Sequence, residues 1–471
     1  MIQRATAGRR PAATDSAGLL SGLRRELDNA GVIKSRIHAL AVALVIAWCG
    51  VVRAADTATA FVGGRVIPVG RAEVPAGTVV IRGGTIVAVG PADSTPVPPD
   101  AQRIDTTGLV VMPGLVDTHS HVGGGQGGDA SGPVQPDVRI LDSINVRDAG
   151  FRKCRAGGLT TLNIMPGSGH LASGQTVYVK LRRVDTIDEL LYRDADGRPL
   201  GGLKMANGTN SQKEPPFPGT RGKSAALVRQ KFVKALAYRD KLAQAAGDPE
   251  KRPDRDLELE ALVDVLEKRK IVHHHCHRAD DIMTVLRLRD EFGFDVVLHH
   301  VSEAWKVAGA LAKSGAACSV IVLDSPGGKI EAADFSLVNG AALEAAGVPC
   351  ALHTDDPVTD SRLFLRTAAL AVRAGMSRDK AIESLTLAGA RMLGLGDRIG
   401  SLDVGKDADL IVLSGDPLSV KTRVLQTFVE GRQVFDRDDP EDRLYAVGGF
   451  GASRDQKAEP CCIGPALGGL K

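Results

Sequence analysis

The sequence predicts an α/β protein: a (β/α)8 barrel over residues 113–395, with a small β-domain built from both ends of the chain, 57–112 plus 396–437. Three observations carry this prediction. Strand-like and helix-like segments alternate through the middle of the chain, which implies a parallel sheet, and about eight such units make a TIM-type barrel. Short apolar runs punctuated by glycine occur on both sides of that region with the same texture. Ten of the eleven histidines fall between residues 119 and 353, a concentration that core packing alone would not favour.

Taken in order, residues 33–54 come first. Lys34 and Arg36 precede an apolar run from Ala39 to Val52, and Val52-Arg53-Ala54 closes it. That is the layout of a secretory signal peptide, shorter than the ~20 residues that span a bilayer. It predicts a chain exported to the periplasm or secreted, with 1–54 as extension and signal; the alternative is an uncleaved membrane anchor. Bulky Trp48 argues against lipid attachment at Cys49.

TATAFVGGRVIPV, GTVVIRGGTIVAVG and TTGLVVMPG then read as strands between Gly-rich turns. DLIVL and VLQTFVEGRQVF repeat the texture after residue 402. Between them the barrel strands are GLVDTHSHV, LTTLNIM, GGLKMA, KIVHHHC, DVVLHHV, ACSVIVL and VPCALHT. Helices are expected at 222–246, 257–269, 279–293 and 379–394. In the second of these Leu259, Leu262, Val263 and Leu266 share one face. The charged run at 248–256 reads as a solvated linker, and residues 438–471 as a loosely ordered tail.

Composition bounds the function. With 471 residues, 43% hydrophobic and 24% charged, the chain is neither disordered nor a multi-span membrane protein. A net charge of +3 and 4% aromatic residues leave no nucleic-acid footprint. The seven cysteines form no CxxC pair and no disulfide framework.

Four strand ends carry the chemistry. On a strand, His119 and His121 point the same way and can grip one metal. His273, His275 and His277 share a face, and periodicity does not choose between 275 and 277 as the ligand. His299 and His300 are adjacent, so alternation admits only one of them to the barrel. His353 and Asp355 share a face, and an Asp there can bind metal and accept a proton from activated water. Lys204 ends the apparent fourth barrel strand, where it would sit near a dication, neutral or carboxylated. Imidazole plus carboxylate suits zinc, with iron, manganese, cobalt or nickel as alternatives.

The stretch GLVVMPGLVDTHSHV resembles the opening strand of the amidohydrolase superfamily, and GSLDVGKDADLIVLSGDPL its closing segment. HCHRADDI, LHHVSEAWK and LHTDDP resemble its strand-5, strand-6 and strand-8 motifs. LNIMPGSGHLASGQTVYVKL and LKMANG resemble imidazolonepropionase-like and prolidase-like members. The resemblance spans residues 57–437. It implies a (β/α)8 barrel beside a β-sandwich and a site for one or two divalent ions, zinc first, from His119, His121, His275, His300 and Asp355, with Lys204 as a carboxylated bridge. It implies hydrolysis of a C–N bond in a small-molecule or peptide-like substrate, with Asp355 as general base and acid, and admits a homo-oligomer.

Arg278 is a candidate partner for a substrate carboxylate, and His277 a second substrate-binding candidate. A mononuclear deaminase of the same superfamily is the alternative reading, weakened because no Glu follows His275 closely. A catalytically inactive binding protein on this fold is the third. Two departures from the resemblance stand out. His299-His300-Val301 occupies the position of a common Glu-His-Gly, and Thr209-Asn210 replaces part of a Gly-Glu-Asn-Pro-like loop.

Overall fold

The computed structural model describes residues 57–124, 129, 131–323 and 329–447. The expected signal at 33–54 lies outside the described residues. Among those described, no helix is long and apolar enough to cross a membrane.

The N-terminal strands β1 (Thr59–Val66), β2 (Val74–Arg82), β3 (Thr85–Pro91), β4 (Gln102–Asp105) and β5 (Val110–Pro113) form one mixed sheet with three strands from the far end of the chain. Gly83 and Gly84, at φ 57° and 81°, make the tight β2–β3 turn that needs two left-handed residues. The distant strands are β15 (Leu410–Leu413), β16 (Val424–Val429) and β17 (Arg432–Asp436), and β15 joins by antiparallel pairing of Ile411 with Met112. The strand order is β17-β16-β15-β5-β1-β2-β3, with β4 beside β1. Phe61 of β1 nevertheless meets Phe428 of β16 edge-on at 5.0 Å. Two strands separate them in the sheet, so the sheet coils over its own apolar filling of Val79, Ile81, Val111, Leu410 and Val412.

The central region is a mixed α/β assembly. Strands β10 (Leu203–Ala206), β11 (Val272–Cys276), β12 (Val296–His300), β13 (Ala317–Ile321) and β14 (Cys350–His353) run parallel in that order. β6 (Leu115–Ser120) and β7 (Leu159–Ile164) pair in parallel, and a bridge from Ser120 to Asp356 brings the end of β6 beside the end of β14. Nearly every residue of these strands is buried on both faces, as parallel strands covered by helices require. The cover includes α1 (Ala149–Ala156), α2 (Arg221–Gln244), α3 (Leu257–Leu266), α4 (Ala279–Phe292) and α5 (Ala304–Ser314). It continues with α6 (Asn339–Ala345), α7 (Phe364–Arg373), α8 (Arg378–Ser384) and α9 (Leu387–Met392). Phe232, Leu262, Val285 and Leu311 from the helices pack with Leu203, Val272 and Leu298 from the strands.

Three expectations are corrected. Strand–helix alternation fails between β7 and β10, where two antiparallel strands stand instead: β8 (Ala172–Gln175) against β10 and β9 (Val177–Lys180) against β7. The β-branched and aromatic run Thr176-Val177-Tyr178-Val179 carries no helical period, and it pairs along the edges open to it. The helix expected at 379–394 is two helices. Thr386 leaves helical geometry at φ −136° and ψ −95°, and its hydroxyl donates back to Ile382 O at 2.9 Å. The tail expected to be loosely ordered carries α10 (Pro440–Val447), which is tied down by Arg183 to Asp442 and by Arg152 Nη1 donating to Tyr445 Oη at 2.9 Å.

Candidate metal centre

The parallel strands and the turns after them deliver a set of side chains to one place. β6 carries His119 and leads into His121, β10 carries Lys204, β11 His275, β12 His299 and His300, and β14 His353, with Asp355 two residues on. His119 Nε2 lies 3.3 Å from His121 Nε2, 3.2 Å from Lys204 Nζ and 3.2 Å from Asp355 Oδ1. His121 Nε2 is 3.1 Å from the same carboxylate oxygen, and His121 Nδ1 is turned by Met165 O at 2.8 Å. His300 Nδ1 is 4.0 Å from Asp355 Oδ2, and the His275 and His300 ring centres are 4.5 Å apart.

The backbone makes this convergence possible. Asp355 and His300 adopt φ 52° and 68°, left-handed conformations that non-glycine residues seldom hold outside functional sites. At His300 this breaks the alternation of the strand. The sequence reading admits only one of His299 and His300, yet both rings stand about 5 Å from that of His119, at 5.0 and 4.8 Å between centres. Val301 follows at φ 40°, the position where the resembled motif has glycine.

Burial sets the protonation states. It holds His119, His275, His299 and His300 well below the usual imidazole range, with Lys204 and neighbouring imidazoles adding to the effect on each. Burial likewise takes His353 to about 3 and His277 to about 4. All are neutral near pH 7, the form that offers a lone pair to a metal. Burial lowers the Lys204 ammonium to about 7, although Asp355 opposes it. For Asp355 burial pushes upward, but the hydrogen bond from His121 and the charges of His121, His353 and Lys204 outweigh it, and the carboxyl titrates below its ordinary value.

These residues fit a divalent cation. His119, His121 and Asp355 each offer a ligand atom, all within 4.8 Å of one another. His119 Nδ1, both nitrogens of His275, and His300 Nε2 are buried and bonded to nothing else. Buried polar atoms left without partners are costly unless something binds there.

His277, a substrate-binding candidate, is drawn in: its ring stacks on His300 at 5.1 Å and its Nδ1 is 2.8 Å from Ser302 Oγ. Arg278 is not drawn in. It is half-exposed and clasps Asp280 through Nε and Nη2, both at 2.9 Å, at the start of α4.

Two contributors, Asp117 and Glu331, escape the sequence reading, and His353, read there only as sharing a face with Asp355, takes an outer position. Asp117, fully buried, accepts hydrogen bonds from the backbone N–H of His119 and of Thr354, both at 3.1 Å, and from the Thr354 hydroxyl. It thereby ties the His119 strand to the Asp355 turn. His353 bridges Ser319 Oγ at 2.7 Å and His300 Nδ1 at 3.1 Å. Glu331 lies on the turn Ile330–Ala332, with an oxygen near His275 and His277. The spacing of Asp117 two residues before His119 is a usable signal, since both then face inward. Nothing in the local pattern marks Glu331.

Comparison with known proteins bears on this centre. The Amidohydrolase family model matches residues 310–435. The solved structure of an amidohydrolase from Thermotoga maritima MSB8 is 34% identical, with a TM-score of 0.76, covering 80% of this chain and all of that one. Amidohydrolase tasK from Hapsidospora irregularis is 30% identical over 372 residues, 72% of this chain; the chain spans 38% of that relative's length. An imidazolonepropionase from Stenotrophomonas maltophilia (strain R551-3) is 26% identical over 396 residues, covering 76% of this chain and 86% of that one.

Proposed function

The chain belongs to the amidohydrolase superfamily of hydrolases, and on that premise we propose that it is a metal-dependent amidohydrolase that cleaves an amide or cyclic-amide C–N bond on a (β/α)8 barrel. The observation that carries the reading is the convergence of His119, His121, Lys204 and Asp355, with contacts of about 3 Å and with His119 and Lys204 fully buried. His119, His121 and Asp355 would hold one divalent cation, and His275 and His300, with Lys204 nearby, would hold a second. Zinc suits this donor set. A cation bound there supplies Lewis acidity, making water nucleophilic near pH 7 and stabilising negative charge on the carbonyl oxygen.

The chain's own groups do the rest. Asp355 keeps Oδ1 toward His119 and His121 and has Oδ2 left to take the proton of the attacking water and return it to the leaving nitrogen. Lys204, with its ammonium lowered to about 7, is partly a free amine at neutral pH. That amine can add carbon dioxide, forming the N–C bond of a carbamate and releasing a proton. His353 and Ser319 fix the ring of His300, as outer partners of ligating histidines do. A buried lysine at this position supports the hydrolase over the mononuclear deaminase, and the full set of donors gives no support to an inactive binding protein.

The test is Asp355→Asn assayed on N-acyl amino acids, dipeptides and cyclic amides. Turnover should fall by about 10²–10⁴-fold on whichever class the wild-type enzyme cleaves. Wild-type turnover in the variant removes Asp355 from proton transfer.

A further inference from the structure

His277 and Glu331 are not needed by the reaction just described, yet both are buried and each carries a polar atom with no partner. His277 is 8% exposed and Glu331 5%. Ser302 Oγ occupies His277 Nδ1 at 2.8 Å, and Nε2 has no partner. Glu331 Oε2 accepts from the backbone N–H of Thr209 at 2.7 Å and lies 3.7 Å from Arg221 Nη2, while Oε1 has no partner. His275 beside them has both ring nitrogens unpaired. One ligand atom from each of the three lies within 4.8 Å of the other two.

The surroundings hold this arrangement in place. Gly208 runs so close to Glu331 that a Cβ there would meet Oε2 at 2.5 Å, and its φ is 75°. Of the nearby cations, Arg221 gives Nε to Asp281 at 3.0 Å and reaches Glu331 only at 3.7 Å, without a hydrogen bond, and Lys329 Nζ donates to Asn210 Oδ1 at 2.9 Å. A buried carboxylate oxygen and two buried imidazole nitrogens, all without donors, are costly as they stand. Two nitrogens and a carboxylate oxygen are also a complete protein ligand set for zinc with one position open.

We propose that His275, His277 and Glu331 form an auxiliary divalent-cation site, distinct from the centre built on His119, His121 and Asp355. It rests on the reading above in sharing His275, whose ring centre lies 4.5 Å from that of His300 and 4.7 Å from that of His277, and which serves both sites by offering one ring nitrogen to each, as an imidazolate. The cation it takes has the N/O preference of zinc, cobalt or manganese.

The experiment is equilibrium dialysis of the full chain against Zn(II), followed by elemental analysis, for wild type, His277→Ala, Glu331→Gln and the pair His119→Asn/His121→Asn. Wild type should hold one equivalent more than either His277→Ala or Glu331→Gln, and the His119/His121 variant should keep that equivalent while losing another. If His277→Ala and Glu331→Gln both retain the wild-type content, the auxiliary site does not exist. If they lose an equivalent and the His119/His121 variant loses none, the auxiliary site stands and the main centre falls. Glu331→Cys loaded with Co(II) guards against variants that do not fold. A thiolate-to-cobalt charge-transfer band beyond the wild-type spectrum is the expected signal, and its absence in folded protein overturns the proposal.

Discussion

Two lysines stand completely buried on strands that follow one another in the chain, and they are opposites. Lys180, at the end of β9, sits among carboxylates: Asp407 Oδ2 at 2.5 Å, Asp409 Oδ2 at 3.2 Å and Glu430 Oε1 at 3.5 Å. Lys204, on β10, sits against His119 Nε2 and the Met165 sulfur at 3.1 Å. Burial pushes both ammonium groups down. At Lys180, Asp409, Tyr192, Asp407 and Glu430 outweigh it, and the pKa is held above the ordinary lysine value. At Lys204, Asp355 does not outweigh it, and the pKa drops to about 7. Equal burial therefore says nothing about charge. The partners make Lys180 a permanent cation that clamps β9 to the eight-stranded sheet, and make Lys204 an amine that chemistry can use.

The largest effect should come from Lys180→Met. It strands the buried Asp409 beside Asp407 and Glu430, whose remaining cations are already engaged, Arg398 on Asp407 at 3.0 Å and Arg182 on Glu430 at 2.7 Å. Breaking a buried pair in this way costs about 3–5 kcal/mol, measured by urea unfolding, with activity per folded molecule unchanged. A loss under about 1 kcal/mol would make the Lys180 cluster ornamental and break the contrast.

Lys204→Met is the mirror experiment. A thioether of similar volume replaces a desolvated amine, so stability should move by less than about 1.5 kcal/mol. Turnover should fall about 100-fold, the upper end of what disturbing the surroundings of a metal costs. A large loss of stability with activity intact would exchange the roles assigned to the two lysines.

The pH dependence of folding sharpens the same point. In metal-free protein the Lys204 pKa is about 7 folded against about 10.4 unfolded. Between those values the unfolded chain binds more protons, so stability rises with pH. From pH 7 to 8.5 the gain is on the order of 2 kcal/mol at most, and Lys204→Met should abolish it. Lys180 contributes the opposite sign, present below the unfolded lysine pKa and lost only at higher pH. A wild-type midpoint that does not change between pH 7 and 8.5 contradicts a lowered Lys204.

What was legible in the sequence follows strand alternation. His119 and His121, His275, and the pair His353 and Asp355 obey it, and reading every second residue brings them to one face. It fails at His300, where a left-handed residue turns two adjacent histidines inward, and no local pattern announces that conformation. Lys180 ends an ordinary Val-Tyr-Val-Lys strand; the acids that define it lie more than 200 residues away and are known only once β9 meets the other sheet. Glu331 is out of reach for a related reason. It sits on an irregular turn, and its meaning comes from Thr209, Gly208 and His277, which the fold alone brings together.

Arg278 gives the smallest prediction and the plainest lesson. It follows the strand-5 histidines directly, which made it a candidate for binding a substrate carboxylate. The guanidinium instead spends its planar edge on Asp280 two residues away, the bidentate geometry in which arginine is most committed. Both side chains are about half exposed, at 44% and 55%, so the pair contributes little. Arg278→Ala should change stability by less than about 0.5 kcal/mol, and kcat/KM should stay within about twofold, since a surface ion pair is worth under 1 kcal/mol. A tenfold rise in KM confined to carboxylate-bearing substrates would mean that the Asp280 pairing opens when substrate arrives, and that adjacency to the motif had been the better guide.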